Sequence, residues 1–155
     1  YIRGHYNKEK KRPEFSGNMG DVVDVSMNQQ AVTRATDAKP VLATFGLGPC
    51  VALVGYEPSA KVGFLTHYST STEVAGSFPN LLTALYRIGL SHDAPTRFDV
   101  RLVGGWERDA DKLIEELKTR VRHGTSFNLE IVEFRRNQKP FRLPGRNQKR
   151  HSGNR

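Results

Sequence analysis

The single cysteine of the chain, Cys50, ends a loop that contains two glycines and a proline, and two strand-like segments follow it. Residues 50–56 and 61–67 are rich in apolar and β-branched side chains, and the Pro-containing residues 57–60 between them are typical of a turn. The pattern predicts an antiparallel hairpin. Both of its faces are mostly apolar, so the hairpin requires cover on both sides and excludes a sheet that lies open to water.

The hairpin brings a thiol and an imidazole to one face. If Tyr56 pairs with Lys61 across the turn, Cys50 lies directly opposite His67. Facing residues of an antiparallel pair have Cβ atoms roughly 4.5–5.5 Å apart, which is close enough for proton exchange between a thiol and an imidazole. A one-residue bulge in either strand would turn the two groups apart.

The remaining elements predict how the hairpin is covered. Strands are expected at residues 22–27, 41–45, 98–102 and 127–134, a first helix from an N-cap at Ser77 to Gly89, and a second helix from Asp109 to His123. The stretch that ends at Lys39-Pro40 is polar. A strand, a helix and a strand in succession predict a parallel crossover. The chain is expected to form an α+β fold, a layered α/β/β sandwich with mixed sheets and two main helices.

The positive charge is concentrated at the two ends. The net charge is +8, with five Lys/Arg against one Glu in residues 1–12 and eight Lys/Arg without an acid in residues 135–155. The chain is therefore expected to divide into a basic flexible arm (1–18), a central folded domain (19–134) and a basic tail (135–155). The tail is interpreted as a solvated terminus or a site for an acidic partner, and nucleic acid is disfavoured because Phe141 is its only aromatic residue. The apolar stretches of the chain are too short for a membrane span.

The hairpin and the loop before it resemble a known family. The run Thr44-Phe45-Gly46-Leu47-Gly48-Pro49-Cys50, the turn Glu57-Pro58 and the run Lys61-Val62-Gly63-Phe64-Leu65-Thr66-His67 are similar to the CheD chemoreceptor glutamine deamidases. The resemblance extends over roughly residues 20–145. One difference is Pro49, which stands where the family usually has a serine and which supplies no backbone N–H.

The resemblance implies a catalytic triad and a reaction. It implies Cys50 as nucleophile, His67 as base and Thr44 as the residue that orients the imidazole. A substrate protein would present a glutamine, which the enzyme would convert to glutamate through a thioester, without a cofactor or metal and in the cytoplasm. The family is also related to deamidase toxins of the cytotoxic necrotizing factor type, so a secreted effector that acts on a host protein is the alternative for this chain.

Further residues complete the expected site. The loop at Gly46 and Gly48 is expected to hold the oxyanion, and Tyr68, Ser69 and Trp106 are candidates for substrate contact, although Trp106 also suits a core position. Gly46 and Gly48 lack the lysine and the helix start of a phosphate-binding loop.

Several alternatives stay open. Cys50 could be a buried structural thiol, and the chain could be a non-catalytic binding module that uses its basic ends. The same thiol could also carry out transglutamination, or act as an amidase on a chain terminus.

Overall fold

The computed structural model describes residues 5–7, 12–14, 19–90, 97–125 and 127–137. In this part of the chain the elements follow one another in the order β1 (His5–Asn7), β2 (Arg12–Glu14), a 3-10 helix (Met19–Asp21), β3 (Val22–Asp24), β4 (Gln30–Arg34), β5 (Val41–Ala43), β6 (Val51–Glu57), β7 (Val62–Tyr68), α1 (Ser71–Arg87), β8 (Arg97–Gly104), α2 (Asp111–His123) and β9 (Asn128–Arg135). Neither helix of the described residues has the length and apolar character that crossing a membrane requires.

A five-stranded mixed sheet with the strand order β4-β7-β6-β8-β9 forms the middle layer. Its central strand, β6, pairs antiparallel with both β7 and β8. β8 and β9 pair in parallel, and α2 connects them. The predicted strand-helix-strand unit with parallel strands is therefore confirmed.

Different layers cover the two faces of this sheet. On one face α1 and α2 bury a helix-side core, which includes Leu53, Phe64, Tyr68, Phe78, Leu81, Leu85, Leu102, Ile114 and Leu117. On the other face the parallel pair β3–β5 buries a strand-side core, formed by Val25, Leu42, Ala52, Val54 and Leu65. The α+β class with helices, a mixed sheet and a second sheet in layers is thus confirmed.

The β6–β7 hairpin exists, but its predicted register is wrong. Ala52, and not Cys50, lies opposite His67, and Val51 lies opposite Tyr68. The pairing differs from the predicted one by two residues. Since side chains alternate with a period of two, every side chain of the hairpin stays on its predicted face.

The turn explains the register. Its loop has four residues, as predicted, but it occupies positions 58–61, one residue later than expected, because Glu57 still pairs with Val62. The Glu57 carboxylate accepts hydrogen bonds from the backbone amides of Ser59 and Ala60, and Lys61 closes the turn at a φ of 54°. A carboxylate that caps its own turn makes this position more favourable than the predicted one.

The predicted start of the first helix is also wrong. Helix α1 begins at Ser71, and its N-cap is Thr70, whose hydroxyl accepts the Glu73 amide at 3.2 Å. Ser77 lies inside the helix, where its hydroxyl donates to the Glu73 carbonyl, and Pro79 also lies inside it. The Thr70-x-x-Glu73 spacing of a capping box was the sequence signal for the true start.

Strand β4 lies in a stretch that sequence analysis described only as polar. It is the edge strand beside β7, and one of its residues, Thr33, is buried. Most of its residues are only half-buried, so its apolar pattern is weak.

The two basic ends lie largely outside the described residues. In the predicted arm, β1 and β2 form an antiparallel pair. In the predicted tail, β9 extends to Arg135, and residues 138–155 are outside the description. The domain boundaries after residues 18 and 134 remain predictions.

Candidate active site

Thr44 and His67 form a buried hydrogen-bonded pair between the two sheets. His67 lies on β7 and Thr44 directly follows β5, and their side chains are 3% and 2% exposed. Thr44 Oγ1 lies 2.8 Å from His67 Nδ1 and 2.5 Å from the Val25 carbonyl oxygen. The hydroxyl has one proton, and the carbonyl can only accept it. The imidazole must therefore donate from Nδ1 to Thr44, which leaves a lone pair on Nε2.

The second imidazole nitrogen is buried and has no hydrogen-bond partner among the described residues. Burial lowers the pKa of His67, because the desolvated imidazole disfavours the charged form. At neutral pH the ring is thus neutral, and its Nε2 is available as a proton acceptor. A buried acceptor of this kind can take up a proton or bind a water molecule or a ligand.

Cys50 directly precedes β6, and it is a free thiol that is 8% exposed. The next residue, Val51, packs in the helix-side core. If the strand alternation of β6 continues back by one residue, Cys50 shares the face of Ala52 and is a diagonal neighbour of His67, a relationship within reach of side chains across a sheet.

The thiol and the imidazole do not form a hydrogen bond in this structure, since Nε2 has no partner within the described chain. Burial raises the pKa of the Cys50 thiol. Together with the lowered pKa of His67, this favours a neutral thiol beside a neutral imidazole at rest rather than an ion pair. The thiolate would have to form by proton transfer when substrate is bound.

The loop before Cys50 depends on glycine and on a tight turn. Gly46 and Gly48 have positive φ angles of 68° and 42°. The Cys50 amide donates to the Leu47 carbonyl at 2.5 Å, and Pro49 has no N–H to offer. The Cys50 amide is therefore occupied within the loop that was expected to hold the oxyanion.

The segment that follows β8 packs against this loop. The Gly105 amide donates to the Gly48 carbonyl at 3.1 Å. A Cβ on Gly48 would lie 3.5 Å from the Trp106 ring, and a Cβ on Gly104 would lie 2.5 Å from the Cys50 carbonyl oxygen. The structure thus places Trp106 beside the nucleophile loop, as half-buried cover.

Tyr68 and Ser69, two further candidates for substrate contact, lie in different places. Tyr68 is 1% exposed and packs in the helix-side core, on the face of the sheet opposite to His67. It is part of the packing there, so the structure does not bring it to the site. Ser69 is half-buried and is hydrogen-bonded to Asn28 Oδ1 through both its amide and its hydroxyl.

The segment from Val25 to Gln29 was not expected to contribute, but it borders His67. The Asn28 amide donates to the His67 carbonyl at 2.7 Å, and the His67 amide donates to the Gln29 carbonyl at 3.1 Å. Asn28 has a φ of 60°, a conformation that asparagine tolerates better than most residues. Its presence after a short strand was a signal for a tight turn, although not for the partner of that turn.

No group of three or more His, Cys, Asp or Glu side chains that could hold a metal ion occurs among the described residues. The arrangement can instead support proton transfer between a thiol and an oriented imidazole, which is the chemistry of cysteine-dependent acyl transfer.

Comparison with known proteins finds two curated relatives. No family model matches the chain. Two curated proteins from Desulfitobacterium hafniense, strains DCB-2 and Y51, are each named probable chemoreceptor glutamine deamidase CheD. Each is 29% identical over 128 residues, and the match covers 64% of this chain and 75% of the relative.

The layered fold and the cysteine-histidine site define a class of α/β/β proteins with a thiol at a hairpin end. Within that class the chain is similar to the two proteins named CheD.

Proposed function

We propose that this CheD-like chain is a protein-glutamine deamidase in which Cys50 is the nucleophile, His67 the base and Thr44 the residue that orients the base. The observation that carries the proposal is the hydrogen-bonded series from His67 Nδ1 through Thr44 to the Val25 carbonyl. It leaves Nε2 as the proton acceptor on the face to which strand alternation directs Cys50. The names of the relatives support the same activity.

The first step is proton transfer from the Cys50 thiol to His67 Nε2. The two groups are not hydrogen-bonded in the free protein, so rotation of the Cys50 side chain must bring them together. The resulting thiolate attacks the carboxamide carbon of a substrate glutamine. As the imidazolium forms, its Nδ1–H stays bound to Thr44. This neutral partner orients the ring but stabilises its charge less than a carboxylate would.

The second step expels ammonia and the third restores the enzyme. The tetrahedral intermediate collapses as His67 Nε2–H protonates the departing nitrogen, which leaves a thioester on Cys50. Neutral His67 then takes a proton from water, the hydroxide attacks the thioester carbon, and the thiol leaves with the proton that His67 returns. The products are a glutamate side chain and ammonia.

We further propose that the substrate is a chemoreceptor, because the relatives carry that substrate in their names. Cys50 is only 8% exposed, so a substrate glutamine would have to displace part of the cover over the thiol to reach it.

The test uses the full chain and the cytoplasmic fragment of a chemoreceptor. Deamidation adds about one dalton to a peptide and releases one ammonia per event, and both are measured by mass spectrometry and an ammonia assay. We expect turnover by the native chain and none by Cys50→Ser or His67→Ala. Thr83→Ala, on the exposed face of α1, is the control that should retain turnover. Undiminished turnover by Cys50→Ser would overturn the assignment.

A second candidate function is a non-catalytic binding module. It is favoured by the burial of Cys50 and by its raised thiol pKa, which both describe an unreactive thiol at rest. A glutamine-directed electrophile separates the two. Stoichiometric labelling of Cys50 that is lost in His67→Ala supports the enzyme, and an inert thiol supports the module. Mass spectrometry with an added primary amine also detects amine transfer, since the product then gains the whole amine.

A further inference from the structure

Two residues that directly follow β9 contact the loops around Cys50. One amino group of Arg136, Nη2, donates to the Trp106 carbonyl at 3.0 Å and to Asp111 Oδ1 at 2.6 Å. Asn137 Nδ2 lies 3.4 Å from the Gly48 carbonyl oxygen. The Gly105 amide donates to that same oxygen. The end of the last strand therefore converges on the carbonyl two positions before the nucleophile.

Arg136 is held in place from several sides. Asp111, the first residue of α2, also accepts the Arg108 amide, and its hydrogen bond with Arg136 lowers the pKa of its carboxyl. The guanidinium carbon lies 5.9 Å from the centre of the Phe134 ring. Only 32% of the Arg136 side chain is exposed, although it carries a full charge. A long cationic side chain with these contacts has one defined position rather than many rotamers.

The contact with Trp106 links Arg136 to the nucleophile loop. The Trp106 carbonyl accepts both Arg136 and the Ala110 amide, so it is the point where the guanidinium meets the turn before α2. A Cβ built on Gly48 would point at the Trp106 ring, which lies 3.5 Å from it. A change in the position of Trp106 therefore acts directly on Gly48, whose backbone can adopt other conformations because glycine has no Cβ.

We propose that Arg136 is a positioning residue for Cys50: it holds the Gly105–Trp106 segment against Gly48 and thereby directs the thiol toward His67. The proposal rests on the proposed catalytic role of Cys50. It assigns Arg136 no contact with substrate. Loss of the guanidinium should therefore reduce kcat and leave KM unchanged, because a displaced reacting group affects the chemical step more than binding.

The test compares Arg136→Met with Arg135→Met. Arg135 is the adjacent residue, 75% exposed, and is paired with Glu133 on the surface. Three quantities are measured for each variant: kcat and KM for deamidation, the rate of Cys50 alkylation by iodoacetamide, and the thermal midpoint. For Arg136→Met we expect kcat to fall about tenfold with KM within about twofold of native, and alkylation to rise at least about threefold as the buried thiol becomes accessible.

Two further variants make the result specific. Arg136→Lys keeps the charge and has three N–H donors on one nitrogen, which can serve both Asp111 and the Trp106 carbonyl, but it loses the planar guanidinium beside the Phe134 ring, so it should recover part of the lost kcat. Thr33→Val removes a buried hydrogen bond to the Lys39 carbonyl at the turn end of the hairpin, and it supplies a destabilised control. If Thr33→Val raises alkylation as much as Arg136→Met does at an equal loss of thermal midpoint, the effect is global and the proposal is wrong.

The remaining outcomes are also decisive. Native kcat and native alkylation in Arg136→Met contradict the proposal, and so does a rise in KM with unchanged alkylation, which would indicate a substrate contact. If Arg136→Met does not fold, Asp111→Asn takes its place, because asparagine keeps an acceptor for the Arg108 amide and loses the charge that binds the guanidinium. The alkylation rate tests the position of Cys50 whether or not the chain deamidates glutamine. Deamidation by Cys50→Ser would instead refute the proposed function, so the two failures can be told apart.

Discussion

Thr44 Oγ1 accepts the Nδ1–H of His67 at 2.8 Å while its own proton goes to the carbonyl of Val25. A side chain from the small sheet thus determines which nitrogen of an imidazole on the large sheet is free to accept a proton. The contact crosses the strand-side core, so the orientation of the base depends on the packing of the two layers as well as on the hairpin that carries His67.

Thr44→Val should reduce activity and stability together. Valine fills the same space but leaves both His67 Nδ1 and the Val25 carbonyl without a partner, and a buried unsatisfied group costs about 1–3 kcal/mol of unfolding free energy. With its tautomer no longer selected, the base should lose about 10- to 100-fold in kcat. The measurements are steady-state deamidation kinetics and urea unfolding.

Thr33→Val is the matched control for that experiment. Thr33 is also a buried threonine, and its hydroxyl donates to the Lys39 carbonyl at 2.8 Å, away from the site. The Thr33→Val variant should lose stability to a similar extent as Thr44→Val and keep the native kcat. An equal loss of kcat in both variants would show that Thr44 acts only through stability.

The pH dependence of stability should report on His67. Burial lowers the pKa of His67 in the folded chain, so the unfolded chain binds a proton first as the pH falls below about 6.5. The unfolded state then holds more protons than the folded state, and the free energy of unfolding decreases with falling pH from that point. His67→Gln should flatten this decrease between about pH 7 and about pH 5 in urea unfolding.

His123→Gln supplies the comparison, because His123 is exposed at the end of α2. The His123→Gln variant should show the same decrease in unfolding free energy with falling pH as the native chain. If His67→Gln and native protein show the same pH dependence, the buried imidazole is not the group responsible. In activity, the native chain should lose kcat/KM as the pH falls through the lowered pKa of His67, since the base becomes protonated.

Gly104→Ala should displace Cys50. Gly104 has a φ of 100°, and an added Cβ would lie 2.5 Å from the Cys50 carbonyl oxygen, a contact that can only be relieved by movement of the backbone. We expect a loss of about 1–3 kcal/mol in unfolding free energy, together with a fall in kcat. Thermal unfolding and deamidation kinetics measure the two effects.

Gly76→Ala is the opposite case. Gly76 lies inside α1, and an added Cβ would have nothing within 4 Å. The change should stabilise the chain by about 0.5–1 kcal/mol and leave kcat unchanged, because alanine is the better helix former. A destabilising Gly76→Ala would contradict the helix assigned to residues 71–87.

The start of α1 can be tested by removing the two candidate caps in turn. Thr70→Ala should cost about 1 kcal/mol of unfolding free energy, because the Glu73 amide loses its acceptor. Ser77→Ala should change the stability by less than about 0.5 kcal/mol, since Ser77 lies within the helix and only returns a hydrogen bond to the preceding turn. The reverse order of effects would restore the predicted N-cap at Ser77.

Particular elements show why some predictions succeeded. The spacing of Leu113, Ile114, Leu117 and Val121 has the period of a helix, and these residues form the buried face of α2. Phe98, Val100 and Leu102 alternate, and all three are buried on β8. Such patterns are local, because each depends only on which neighbouring positions share a face.

Other elements depend on partners that are distant in the chain. Strand β4 is a strand because it pairs with β7, and its own pattern is weak. The Val25 carbonyl meets Thr44 because the small sheet packs on the large one, and Asn137 meets Gly48 from 89 positions away. No local pattern in the sequence specifies these pairings.

Local patterns were sufficient to predict the layers, the face of the hairpin that carries Cys50 and His67, and the resemblance to the CheD family. They did not give the hairpin register, because registers that differ by two residues present the same faces, and the hydrogen bonds within the Glu57 turn select one of them. The free imidazole nitrogen follows from long-range packing alone, because a threonine and a carbonyl reach His67 only when the sheets pack together.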